Sequence, residues 1–126
     1  MINTTLNDIL NNNDIFRQVY QSPMPARTAF KIARLIRELE KENTTFNESR
    51  DKILEKYAMR DDNGAMMQED NQVMISPDRA EDFQKEIDSL LKTSVEINAD
   101  KLTLDDLADV SLSPKQIIDL GNFLEE

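Results

Sequence analysis

The chain has 126 residues, with 39% hydrophobic, 32% charged and a formal net charge of −10. It contains no Cys, His or Trp. That removes disulfides, thiolate or imidazole metal sites and the commonest general base, and the high charge suits extended helices with much wet surface.

The charge is uneven along the chain. Residues 17–41 hold six basic residues against Glu38 and Glu40, whereas residues 42–126 hold 21 acidic against nine basic, a net of −12. Nucleic-acid binding by the whole surface is therefore not expected, although a local basic face remains. No run of ~18 apolar residues is present, so no membrane span is expected. MINTTLNDIL has neither a basic region nor an apolar core for a signal peptide, and the chain reads as cytoplasmic.

Thr5 and Asp8 form a helix-start pattern, and Leu6, Ile9, Leu10, Ile15, Phe16, Val19 and Tyr20 continue an apolar face. This predicts an N-terminal helix over 5–20, broken near residue 12 by the Asn11–Asn13 run, since Asn competes for backbone hydrogen bonds. Pro23 and Pro25 stop it.

A long helix is predicted over 25–58. It has no Gly, and its Pro stands first. Read as heptads, position a takes Ala29, Ile36, Asn43, Arg50 and Tyr57, and position d takes Ile32, Leu39, Phe46 and Ile53. About 34 residues at 1.5 Å each would span roughly 50 Å. Asn63-Gly64 supplies a reversal, and the apolar runs flanking Glu69-Asp70-Asn71 predict a β-hairpin over 65–75. Ser76-Pro77-Asp78 opens a return helix over 77–93, carrying Ala80, Phe83, Ile87 and Leu90. That helix is long enough to cover only about 42–57 of the long one. Val95–Ile97 reads as a short strand, and Thr103 as the cap of a short helix. Ser113 and Gln116 form a capping box for a C-terminal helix over 113–125. The two terminal helices are left to cover residues 26–40.

The expected fold is mainly α and a single domain over 1–126. A long central helix forms an antiparallel α-hairpin with a small β-hairpin at or near its tip, bundled at the other end with the N- and C-terminal helices.

Three groups of residues are candidates for function. Arg27, Lys31, Arg34, Arg37 and Lys41 form a basic stripe on the outer face of the long helix, able to dock an acidic partner or to stand as a solvated face. No aromatic interleaving supports base stacking there. Met66, Met67 and Met74 cluster at the predicted tip, as an adaptable partner surface or as packing onto the helices. Asn43 and Arg50, polar at a positions, either specify register and oligomeric state or mark where the seam turns to solvent. A homodimer is compatible with that seam.

The paired acids do not build a calcium loop. Counted from Asp61, loop position six is Met66 and position twelve is Gln72, where Gly and Glu are needed. No pocket marks a carboxylate pair for catalysis, and no phosphate loop, nucleophile elbow or zinc spacing occurs. No catalytic residue, cofactor or metal is expected.

The order of features, MPARTAFKIARLIRELEKE, FNESRDKILEKYAMRDDNG, EDFQKEIDSLL and VEINADKLTLDDL, resembles an uncharacterised family of small tailed-bacteriophage proteins, from about Leu6 to Leu124. The resemblance implies a phage origin and action in the bacterial host cytoplasm or in the virion. It carries over no active site and no ligand. The expected function is a non-enzymatic protein-interaction module, a phage accessory or host-modulating factor with a host or phage protein as partner. The alternatives are a virion or assembly component that oligomerises through the long helix, and an acidic nucleic-acid mimic that occupies a DNA-binding host protein.

Overall fold

The computed structural model describes residues 1–125. It is mainly helical. In chain order the elements are β1 (Ile2–Thr5), α1 (Leu6–Asn11), α2 (Asn13–Gln21), α3 (Ala26–Tyr57), β2 (Gln68–Glu69), β3 (Gln72–Val73), α4 (Ala80–Leu91), β4 (Ser94–Ile97) and α5 (Pro114–Leu120). Short 3-10 turns cover Pro77–Arg79, Asp105–Leu107 and Gly121–Phe123. Among the described residues, no helix is long and apolar enough to cross a membrane.

The chain divides into two compact units, Met1–Asn43 with Thr93–Glu126, and Thr44–Lys92. The division falls inside α3.

The first unit is closed by its strands. β1 pairs antiparallel with β4, with Ile2 opposite Ile97 and Thr4 opposite Val95. A strand thus precedes the helix predicted over 5–20, and Thr5 ends β1 while its hydroxyl accepts the Asp8 N–H (3.2 Å) to cap α1. The break expected near residue 12 separates α1 from α2. Asn12 there is fully buried, and its Nδ2 donates to the carbonyls of Asp8 (2.8 Å) and Asp119 (2.9 Å). An amide that interrupts one helix therefore ties it to α5, 107 residues away in sequence. Ser113 and Gln116 form the capping box of α5, which stops at Leu120 rather than continuing to residue 125. The chain then turns so that the Leu102 N–H donates to the Phe123 carbonyl (2.8 Å), the Glu125 N–H donates to the Leu102 carbonyl (2.8 Å), and Leu124 bridges Leu102.

The core of this unit is apolar and drawn from every element. Ile2, Leu6, Ile9, Phe16, Val19, Ile32, Leu35, Leu39, Ile97, Leu102, Leu107, Leu120 and Phe123 are buried. Phe16 and Phe123 meet edge to face, with ring centroids 5.1 Å apart.

The second unit is held differently. Its buried apolar side chains, among the described residues, are Phe46 and Tyr57. Tyr57 packs edge to face on Phe83 (6.0 Å), and the Arg79 guanidinium lies 4.4 Å from the Tyr57 ring centre. β2 and β3 form the hairpin, turning through Asp70 (φ 52°) and Asn71 (φ 65°), the left-handed pair that a two-residue turn needs. Asp61 organises the other reversal: its carboxylate accepts the Asn63 and Ala65 N–H groups, and Gly64 (φ 81°) takes the left-handed position. Three methionine backbones join the reversals in a closed ring. The Met59 N–H donates to Met74 (2.8 Å), Met74 to Met67 (2.9 Å) and Met67 to Met59 (2.8 Å).

The seam of α3 follows the heptad reading at Ile32, Leu39, Phe46 and Tyr57 and departs from it at other positions. Leu35, at heptad position g, is fully buried, whereas Ala29 and Arg50, both at position a, are exposed. A straight α-helix repeats every 3.6 residues and drifts against a 3.5-residue seam. Leu35 thus joins the predicted a and d residues Ile32, Leu39, Phe46 and Tyr57 on one buried face.

Candidate functional site

The basic stripe lies on the first unit, on α3. At roughly 100° per residue, Arg27, Phe30, Arg34, Arg37 and Lys41 fall within an arc of about 80°. The buried trio Ile32, Leu35 and Leu39 is centred about 150° away, on the opposite face. One face of the helix is fully committed to the core, so the other must stand outside it.

The five basic residues do not share one environment. Lys31 is half-buried and its Nζ lies 2.6 Å from Asp106 Oδ2. Burial pushes the Asp106 carboxyl up, but Lys31 and Thr103 outweigh it, so the group stays below its ordinary value. The same carboxylate accepts the Thr103 N–H (2.9 Å), while the Thr103 hydroxyl accepts the Asp106 N–H (3.1 Å). Lys31 is thus a strut to the loop over 103–107. Lys41 pairs with Glu38 (2.8 Å) one turn away. Arg27, Arg34 and Arg37 are exposed, and none of them pairs with a carboxylate among the described residues.

Among these arginines stands Phe30, 67% exposed. It interleaves the basic stripe, against the expectation that no aromatic does so. Beside it Met1 is 65% exposed. Met1, Arg27, Phe30, Lys31 and Arg34 line a hollow of about 310 Å³ with the Asn98–Asp100 turn that follows β4. The arrangement sets guanidinium donors one turn to either side of the exposed Phe30 ring, in a lining that mixes Met1 and Ala99 with Asn98 and Asp100. It has no nucleophile beside a base, and no group of three acids that could hold a metal occurs among the described residues.

Phe30 is the residue the sequence reading passes over. A signal for it existed, because its angular position falls among the basic residues rather than on the apolar face. Heptad lettering hid that, since it scored only positions a and d.

The other candidates lie elsewhere. Asn43 is half-buried and its Nδ2 donates to Asn13 Oδ1 (3.3 Å), so it joins α3 to α2 inside the first unit. Arg50 is exposed beside Asp51 (3.5 Å) and over the Phe46 ring (6.0 Å). Met66, Met67 and Met74 are half-buried in the second unit, where the backbones of Met67 and Met74 belong to the hydrogen-bonded ring.

A second polar cluster surrounds Tyr57. Lys56 Nζ pairs with Glu86 (3.0 Å), and Arg79 donates to the Lys56 carbonyl (3.0 Å). Lys56 and then Tyr57 hold the Glu86 carboxyl below its ordinary value, while the neighbouring carboxylate raises the Tyr57 phenol. These charges are compensated locally, which fits a strut for α4 better than a reaction centre.

No protein-family model matches the chain, and no curated protein or solved structure matches it.

Proposed function

We propose that the protein is a non-enzymatic interaction module that docks a protein partner on the Arg27–Phe30–Arg34–Arg37 ridge of α3. The observation that supports it is the exposure of Phe30 among guanidiniums that no carboxylate among the described residues engages. An apolar ring surrounded by exposed arginines is the composition of an interface anchor, since aromatic and Arg side chains dominate the energy of association. On this reading, which the resemblance to tailed-phage proteins motivates, the module is an accessory or host-modulating factor that acts on a host or phage protein in the bacterial cytoplasm.

The paired long-helix arrangement belongs to the same reading. Contacts of Lys56 with Glu86 and of Tyr57 with Phe83 support an antiparallel hairpin of α3 and α4 in the second unit.

The test is capture from a bacterial lysate with the immobilised protein, comparing wild type with Phe30→Ala and with Arg27→Glu/Arg34→Glu. A partner held by wild type and lost by both variants, with unchanged helicity, supports the module. Equal capture by all three removes the ridge from function.

A further inference from the structure

The ridge also restricts the shape and charge of what it binds. Arg27 and Arg34 are seven residues apart, two turns of helix and roughly 10.5 Å along the axis. Phe30 and the hollow lined by Met1 and the Asn98–Asp100 turn lie between them. A partner must therefore present two anionic groups about 10.5 Å apart with an apolar group between.

An extended strand fits this poorly. Its same-face residues recur about every 6.6 Å, so they stand near 6.6 or 13 Å. A helix fits directly, because residues i and i+7 share a face at about 10.5 Å and residues i+3 and i+4 fall between them. A nucleic acid fits poorly too. Three guanidiniums without a carboxylate partner among the described residues, and one ring, on a chain of net charge −10 give few phosphate contacts against a strong overall repulsion.

A second copy of the chain lacks the pattern. Its own helical acids at this spacing are Glu48 with Glu55, and Glu81 with Asp88. Between them stand Asp51 and Lys52, and Gln84 and Lys85. Neither pair has an apolar residue at i+3 or i+4, and Lys52 or Lys85 would face the arginines.

We infer that the ridge receives an acidic amphipathic helix of another protein, with Asp or Glu at i and i+7 and an apolar side chain at i+3 or i+4 seated against Phe30. This rests on the interaction-module reading and names the partner's chemistry. The carboxylates engage Arg27 and Arg34, and Arg37, one further turn along, extends the charged edge. Lys31, already held by Asp106, keeps the rim of the hollow in place without taking part in the exchange.

The probe is a labelled helical peptide with Glu at i and i+7 and Leu at i+3 and i+4, titrated into the full-length protein by fluorescence anisotropy. Binding is expected for wild type, about tenfold weaker for Phe30→Ala, and about tenfold weaker when both Glu are replaced by Gln. Arg27→Glu/Arg34→Glu should lose the acidic peptide and gain one with Lys at both positions. Circular dichroism checks that each variant stays folded. No binding by wild type, or equal binding by Phe30→Ala and the double variant, overturns the inference. So does concentration-dependent dimerisation by light scattering that Phe30→Ala abolishes, which would make a second copy the occupant, or Phe30-dependent binding of oligothymidylate. If the ridge variants lose a captured protein while the peptide does not bind, the acidic helix falls and the interaction module stands.

Discussion

The two units solve the same problem with different means. In the first, a continuous apolar interior is drawn from β1, α1, α2, α3, β4 and α5. In the second, Phe46 and Tyr57 are the buried apolar side chains among the described residues, and the rest is turn chemistry, ring-to-ring contact and charge pairing. Burial scales with apolar area, whereas exposed ion pairs contribute little. The first unit can therefore position a rigid surface, and the second should open at lower free energy. The proposed docking ridge lies on the first. An anchor such as Phe30 is useful only if the helix beneath it does not move, and Ile32, Leu35 and Leu39 hold that helix from behind.

The comparison is broken most severely at Leu35. Leu35→Ala leaves a cavity in the first unit and should cost about 2–5 kcal/mol, whereas Ala29→Ser should stay within about 0.5 kcal/mol. Urea unfolding of the two variants measures both. Near-equal effects would restore the strict heptad seam.

A smaller and more local effect is expected at Tyr57. Tyr57→Ala removes the contact with Phe83 and the surface under Arg79, and should cost about 3 kcal/mol within the second unit. Hydrogen exchange should then show lost protection across Gln68–Val73 and Ala80–Leu91, while Leu6–Val19 keeps its protection. Uniform loss over both regions would show that the units do not open separately.

The smallest effect belongs to the strut of the ridge. Asp106→Asn should cost about 1 kcal/mol at neutral pH, since the Lys31 pair is only partly buried. The folded carboxyl lies below its ordinary value of about 3.9. Its contribution is therefore complete above that unfolded-state value and is lost as pH falls through the folded one. The difference between wild type and variant should be present at pH 7 and vanish in strong acid. A gap that persists at low pH would assign the effect to packing instead of charge.

Much of the local structure was legible in the residues. Thr5, Thr103 and the Ser113–Gln116 box cap helical turns as their types dictate, because a side-chain oxygen satisfies an orphan N–H wherever the fold sits. Asp70, Asn71 and Gly64 turn the chain because these residues tolerate positive φ. The length of α3 follows from an unbroken stretch without Gly. The strand β1 was hidden because Ile2–Thr5 has no partner nearby in sequence, and β4 begins at Ser94.

The basic residues themselves are a property of the sequence, and so is their common face. Only the tertiary structure decided which of them are occupied. Asp106 reaches Lys31 across 75 residues, and no local pattern encodes that contact. The same holds for Asn12, which local propensity makes a helix breaker and long-range packing makes a clasp on α5. The sequence determines periods and caps, because these depend on neighbours a few residues away. The fold alone decides that Phe30 is left uncovered, because exposure depends on every element that could have packed there and did not.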